Sequence, residues 1–251
     1  MPTPEITEMS FSDQPDEADL SFKSILAYLE AGRLAESRMM FNAMSSFGNS
    51  EKNCLTRARA ASHLIRAYGK AGRFADAKLV YNATPGLGDS VHICQARATA
   101  ALTLLEVYAS AGRLADAMVL FNSMTRFGNG DAVSLIRARA AGILIRHYIA
   151  EGRLADARVV FADMPEPSSS RLPSADEEQL DAELAGAASL LLNAYADAGQ
   201  LDQARAVFDA IHEPESSAAV RQIYDSAREV MAAAYIEAGN EGEAGSLLSG
   251  T

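Results

Sequence analysis

Tryptophan is absent from this chain, aromatic residues make up only 7% of it, and 251 residues contain just two cysteines. A core must therefore close through Ala, Leu, Ile and Val, and such small side chains favour closely packed helices. Cys54 and Cys94 stand 40 residues apart, at the same position of neighbouring units defined below. Equivalent positions in stacked helical units lie roughly 8–10 Å apart, beyond the reach of a disulfide. Two reduced thiols are expected, and without a Cys or His pair at ligand spacing they make no zinc site. Long apolar runs are also missing. No stretch approaches the ~20 residues that span a bilayer. The first 20 residues are acidic and polar, unlike a secretion signal with its basic then apolar regions. A cytoplasmic protein without membrane contact is the expectation, with export by a specialised secretion system as the alternative.

What is present is a repeat. Apolar residues make up 49% of the chain, enough for a substantial core, and one phrase returns along its length: Ala-Gly-Arg-Leu-Ala-Asp-Ala followed by Phe-x-x-Met. Its glycines are Gly32, Gly72, Gly112, Gly152, Gly199 and Gly239, at spacings of 40, 40, 40, 47 and 40. They define units one to six. Four residues before each glycine stands Tyr28, Tyr68, Tyr108, Tyr148, Tyr195 or Tyr235. Five after it comes Ser37, Ala77, Ala117, Ala157, Ala204 or Ala244. Nine after it an aromatic recurs through five units, as Phe41, Tyr81, Phe121, Phe161 and Phe208, with Leu248 in the sixth.

That phrase predicts a helical hairpin. Before the glycine, Ala61, Leu64, Ile65 and Tyr68 recur at helical spacing and form the buried stripe of a helix A. The glycine supplies the left-handed residue that ends it, and a shorter helix B follows, with Phe74, Ala77 and Tyr81 on one face. The small residue lets A and B approach, and the tyrosine and later aromatic fill the space beside it. One hairpin cannot bury its own apolar face, so the units must stack, with polar end faces supplied by Asp16, Glu17 and Asp19 and by Glu237, Glu241 and Glu243. The expected fold is all-α, a right-handed α-solenoid of six two-helix repeats. Residues 1–15 are expected to be a disordered terminus, 16–164 to hold repeats one to four, 165–174 to be a mobile Pro/Ser loop and hinge, and 175–251 to hold repeats five and six.

The stretch Tyr68 to Thr84, with Leu64, Tyr68, Gly72, Ala77 and Tyr81 at their spacings, resembles the shared core of tetratricopeptide and pentatricopeptide repeats. The Gly-Arg-Leu wording and the Phe161-Ala-Asp-Met164 ending are closer to the pentatricopeptide form. The likeness runs from about residue 20 to residue 249. Those families use units of 34 or 35 residues, so the additional residues here fall at the B-to-A junction and the start of helix A.

Charge divides the chain unevenly. The formal net charge is −11, yet residues 31–160 carry seventeen Lys and Arg against nine Asp and Glu, and residues 161–251 carry four against seventeen. By resemblance to tetratricopeptide proteins, helix A lines the groove at thirteen, ten, six, three and two residues before the glycine. In unit two this places Arg59, Ser62, Arg66, Gly69 and Lys70 there, and in unit four Arg139, Gly142, Arg146, Ile149 and Ala150. Unit three contributes Thr99, Leu102, Glu106, Ala109 and Ser110. Arg57, Arg97 and Arg137 form a further row, fifteen before the glycine. These arginines either pair with acids of adjacent helices on a solvated face or grip an acidic ligand bidentately.

The leading expectation is a non-enzymatic module, an adaptor, scaffold or chaperone-like binder holding an acidic peptide or protein surface on Arg59, Arg66, Lys70, Arg139 and Arg146. The rival is RNA binding, which the pentatricopeptide likeness implies. In that family a small polar residue nine before the glycine reads a base. Here the row is Lys23, His63, Thr103, Ile143, Leu190 and Val230, and only Thr103 is of that type, so weak sequence specificity at best is expected. A secreted effector or a head-to-tail self-assembling scaffold is the remaining alternative. No cofactor, metal or catalytic residue is expected. His63, His92, His147 and His212 are scattered through different units, and Gly86-Leu-Gly88 is a turn between helices, not a phosphate loop after a strand.

Overall fold

The computed structural model describes residues 17–48, 50–84, 90–128, 130–165, 175–211 and 218–249. The expected disordered terminus, most of the expected loop at 165–174, and the turn residues Asn49, Asn129, 85–89 and 212–214 lie outside them. The described residues form twelve α-helices and no strand: α1 (Glu17–Glu30), α2 (Leu34–Ala43), α3 (Glu51–Lys70), α4 (Phe74–Asn82), α5 (Val91–Ser110), α6 (Leu114–Ser123), α7 (Asp131–Ala150), α8 (Leu154–Ala162), α9 (Ala175–Asp197), α10 (Leu201–Phe208), α11 (Ala218–Glu237) and α12 (Glu241–Ser249). Odd-numbered helices are the A helices and even-numbered ones the B helices. The chain is an all-α helical-repeat solenoid.

Each repeat glycine ends an A helix in the left-handed region, with φ between 68° and 78° at all six. The amide of the following residue donates to the carbonyl of the repeat tyrosine, as Arg33 to Tyr28 at 2.8 Å and Asn240 to Tyr235 at 2.8 Å. The glycine amide donates to the carbonyl three residues back. This double closure satisfies the last carbonyls of helix A and turns the chain directly into helix B. Five residues on, Ser37, Ala77, Ala117, Ala157 and Ala204 are fully buried, which lets the two helices of a hairpin pack closely. One cluster of buried apolar side chains then runs from Ala18 to Ala244.

The stacking is unequal in the two layers. Consecutive A helices pack directly on one another through the whole series, while B helices pack on their own A helix and on the next one and make no comparable contact with each other. The A layer is thus the inner, shorter arc of the solenoid. The longer spacing between units four and five leaves this layer unbroken, because α7 packs on α9 with Leu135, Ala138 and Leu180 buried between them. Both cysteines are free, Cys54 buried and Cys94 half-buried.

Candidate binding surface

Two rows of arginine that repeat in the sequence belong to the scaffold. In units one to four the residue after the glycine, Arg33, Arg73, Arg113 or Arg153, lays its guanidinium over the repeat tyrosine, 4.7–5.0 Å from the ring centre. Each also pairs with the acid three residues on, as Arg33 with Glu36 at 2.8 Å and Arg153 with Asp156 at 2.7 Å. The Gly-Arg-x-x-Asp wording is therefore a hairpin clasp, and its charges cancel locally.

The row fifteen before the glycine covers the aromatic of the preceding unit. Arg57 lies 5.4 Å over Phe41 and Arg97 lies 5.1 Å over Tyr81. In unit six Tyr224 takes the same place and stacks on Phe208 at 5.1 Å. Arg97 also donates to the carbonyl and hydroxyl of Thr84 at the end of α4, both at 2.9 Å, and Arg137 donates to the Asp163 carbonyl at 3.4 Å. A cation on spent helix carbonyls is favourable. Burial lowers the pKa of Arg57, and the Arg38 charge adds to this against the influence of Cys54.

The residues placed in the groove by their spacing divide into three groups. Lys70 and Arg146 are exposed and carry no ion pair among the described residues. Arg59 is exposed and lies 5.2 Å over the ring of Phe22. Arg66 and Arg139 reach acids of the next A helix, Arg66 to Glu106 at 3.5 Å and Arg139 to Glu183 at 3.1 Å, with Gln179 a second acceptor at 3.2 Å. Thr103 corrects the sequence reading. It is only 4% exposed, and its hydroxyl donates to the Thr99 carbonyl at 3.0 Å. The position nine before the glycine turns into the contact between A helices there, and Ile143 and Val230 pack on the core at the same position. Only Lys23 and His63 of that row are exposed.

Phe22, Lys52 and His92, none of them placed in the groove by spacing, complete this face. Phe22 is flanked by Arg59 and by His63, whose ring centre is 5.6 Å away. Burial first, then Arg66 and Arg59, holds His63 below the ordinary imidazole pKa. Lys52 pairs with Asp19 at 3.3 Å. Lys52 and Asp19, together with Arg59, His92 and Glu51, line an open cavity of about 620 Å³ across the start of α3. The signal for them was present: Lys52 and His92 both stand twenty before their glycine, one helical turn or two beyond the residues chosen. Among the described residues no three His, Cys, Asp or Glu side chains converge as metal ligands, and no helix is long and apolar enough to cross a membrane.

The face is thus a row of A helices bearing more cation than anion through units one to four. A family model described as PPR repeat matches residues 60–83, 102–129 and 188–213. The chain is a helical-repeat protein with PPR-repeat matches at three places. Each matched segment opens inside an A helix, at the second half of α3, α5 and α9, and closes beyond the following B helix. The earlier half of each A helix, where this chain carries its additional residues, falls outside the match. No curated protein and no solved structure matches the chain.

Proposed function

We propose that this chain binds single-stranded RNA along the A helices of units one to four, and that it does so through the phosphate backbone with little reading of base identity. The observation that carries this is the combination of PPR-repeat matches with unpaired cations, Lys70, Arg146 and Arg59, on the inner layer. Phe22 and the ring of His63 offer flat surfaces on which any base can stack. The burial of Thr103 and the apolar character of Ile143, Leu190 and Val230 remove the side chains that would discriminate between bases.

One specific contact favours the second reading, an acidic polypeptide in place of RNA. Arg139 already holds a carboxylate and an amide oxygen, those of Glu183 and Gln179, in the manner required for an acidic peptide. Fluorescence anisotropy with labelled single-stranded RNA and with labelled polyglutamate, both at low salt, decides between them. The RNA reading predicts binding of RNA at least about tenfold tighter than polyglutamate. Tighter binding of polyglutamate selects the adaptor reading, and binding of neither overturns both.

A further inference from the structure

The outer faces of the B helices carry a second surface that the RNA reading leaves unused. Large aliphatic side chains that are mostly exposed recur seven residues after the glycine: Met39 at 71%, Leu79 at 55%, Val119 at 72% and Val159 at 57%. Their helical neighbours four before and three after are uncharged and exposed: Ala35 and Asn42, Ala75 and Asn82, Ala115 and Asn122, Ala155 and Ala162. A solvated helix normally puts charge there. The acid three before each aliphatic, Glu36, Asp76, Asp116 or Asp156, is held by the clasp arginine, and Asp163 is exposed beside Val159. The pattern stops after unit four. Units five and six have Ala206 and Ser246 at the position, and in unit five Asp202 and Asp209 flank it.

Because successive B helices make no contact with each other comparable to that between A helices, the strip is ribbed by grooves. One of them, about 570 Å³ and open, lies between α8 and α10 and is lined by Ala155, Val159, Ala162 and Tyr195, with Arg158 and Gln203 at its edge. Lys78 and Arg158, one residue before Leu79 and Val159, are exposed cations without an ion pair among the described residues. The strip is thus apolar with a basic margin.

We infer that this ridge of Met39, Leu79, Val119 and Val159 is an interaction surface whose partner is a second copy of the chain, docked through the acidic A and B helices of units five and six. Charge selects this occupant. Residues 161–251 carry seventeen acids against four bases, and the same region exposes Ile236 at 54% and Leu248 at 56%, close in sequence to Glu237, Glu241 and Glu243. An apolar ridge with a basic margin meets an apolar surface with an acidic one, so the charges steer and orient the encounter while the aliphatic side chains supply the contact. The contact is heterologous, ridge to acidic half, and leaves one free ridge and one free acidic half on every pair. The A-helix face stays open in such an assembly.

Sedimentation equilibrium over micromolar to hundred-micromolar concentrations tests this with two variants, Leu79→Glu with Val119→Glu on the ridge and Ile236→Glu with Leu248→Glu in the acidic half. All four positions are exposed, so both variants keep the wild-type helical spectrum and melting profile. Wild type shows an average mass that climbs continuously with concentration and falls with added salt. Each variant alone associates at least about tenfold more weakly. Mixed, the two recover a dimer and stop there, since only one intact ridge and one intact acidic half remain. Wild type that stays monomeric, a ridge variant that still associates, or a mixture that gains no dimer each overturns the inference. RNA binding by the ridge variant at wild-type affinity separates this surface from the one proposed above.

Discussion

Arg139 of α7 and Glu183 of α9 join the basic and acidic parts of the chain, guanidinium to carboxylate at 3.1 Å. Both side chains are about two-fifths exposed, so solvent screens the pair and its coupling in a double-mutant cycle is expected to be below about 1 kcal/mol. Its larger effect is on binding. Glu183→Gln frees a cation at the end of the RNA-binding face and is expected to tighten single-stranded RNA severalfold, measured by anisotropy at low salt. Unchanged or weaker binding would show that the face does not extend to Arg139.

Two glycines of opposite character test the hairpin account. Gly112 has φ of +71° with open space where a Cβ would stand, so Gly112→Ala suffers only the left-handed backbone penalty, about 1–2 kcal/mol destabilising. Gly142 lies inside α7, also with open space around it. There Gly142→Ala stabilises by up to about 1 kcal/mol through helix propensity. Urea unfolding of the two variants should move the midpoint in opposite directions.

Arg97 is expected to behave as scaffold. Arg97→Ala removes the cover over Tyr81 and two hydrogen bonds to Thr84, at a cost of about 1–2 kcal/mol. Lys78→Ala, on the exposed face of α4, should stay within about 0.5 kcal/mol of wild type. Equal effects in thermal unfolding would refute the structural role.

Thr103→Val tests the loss of base reading. The hydroxyl bonds only within its own helix, so the change should leave the affinity for uridine, adenosine and cytidine homopolymers, and their ratios, within about twofold of wild type. A shift in preference between homopolymers would place this side chain at the ligand.

The scaffold was legible from spacing. Tyr, Gly, small residue and aromatic at fixed offsets gave every hairpin in the described residues, because left-handed closure and close A-to-B approach admit few residue types. Surface roles were less legible. Arg57, Arg59 and Arg97 are alike in the sequence and each lies over a ring of the preceding unit, yet Arg57 and Arg97 cover the repeat aromatic of a B helix while the more exposed Arg59 covers Phe22 of the A helix α1. A two-residue offset on a helix turns a side chain by about 200°, and which side meets the next unit depends on how the A helices stack. Thr103 was misplaced for the same reason. The position nine before the glycine is exposed at His63 of α3 and buried at Thr103 of α5, although both helices have 20 residues, so its burial is set by the neighbours of each unit.

RNA affinity as a function of salt, for wild type beside Arg59→Glu, Lys70→Glu and Arg146→Glu combined, tests the central claim most directly. With about three phosphates neutralised, one by each of these cations, the wild-type log–log slope is expected to be about −2, since single strands give about −0.7 per contact. The triple variant, with unchanged helical content, should bind at least about a hundredfold more weakly at low salt and with a slope near zero. Salt-independent binding by the wild type, or equal binding by the variant, would contradict an RNA-binding face on the A helices of units one to four.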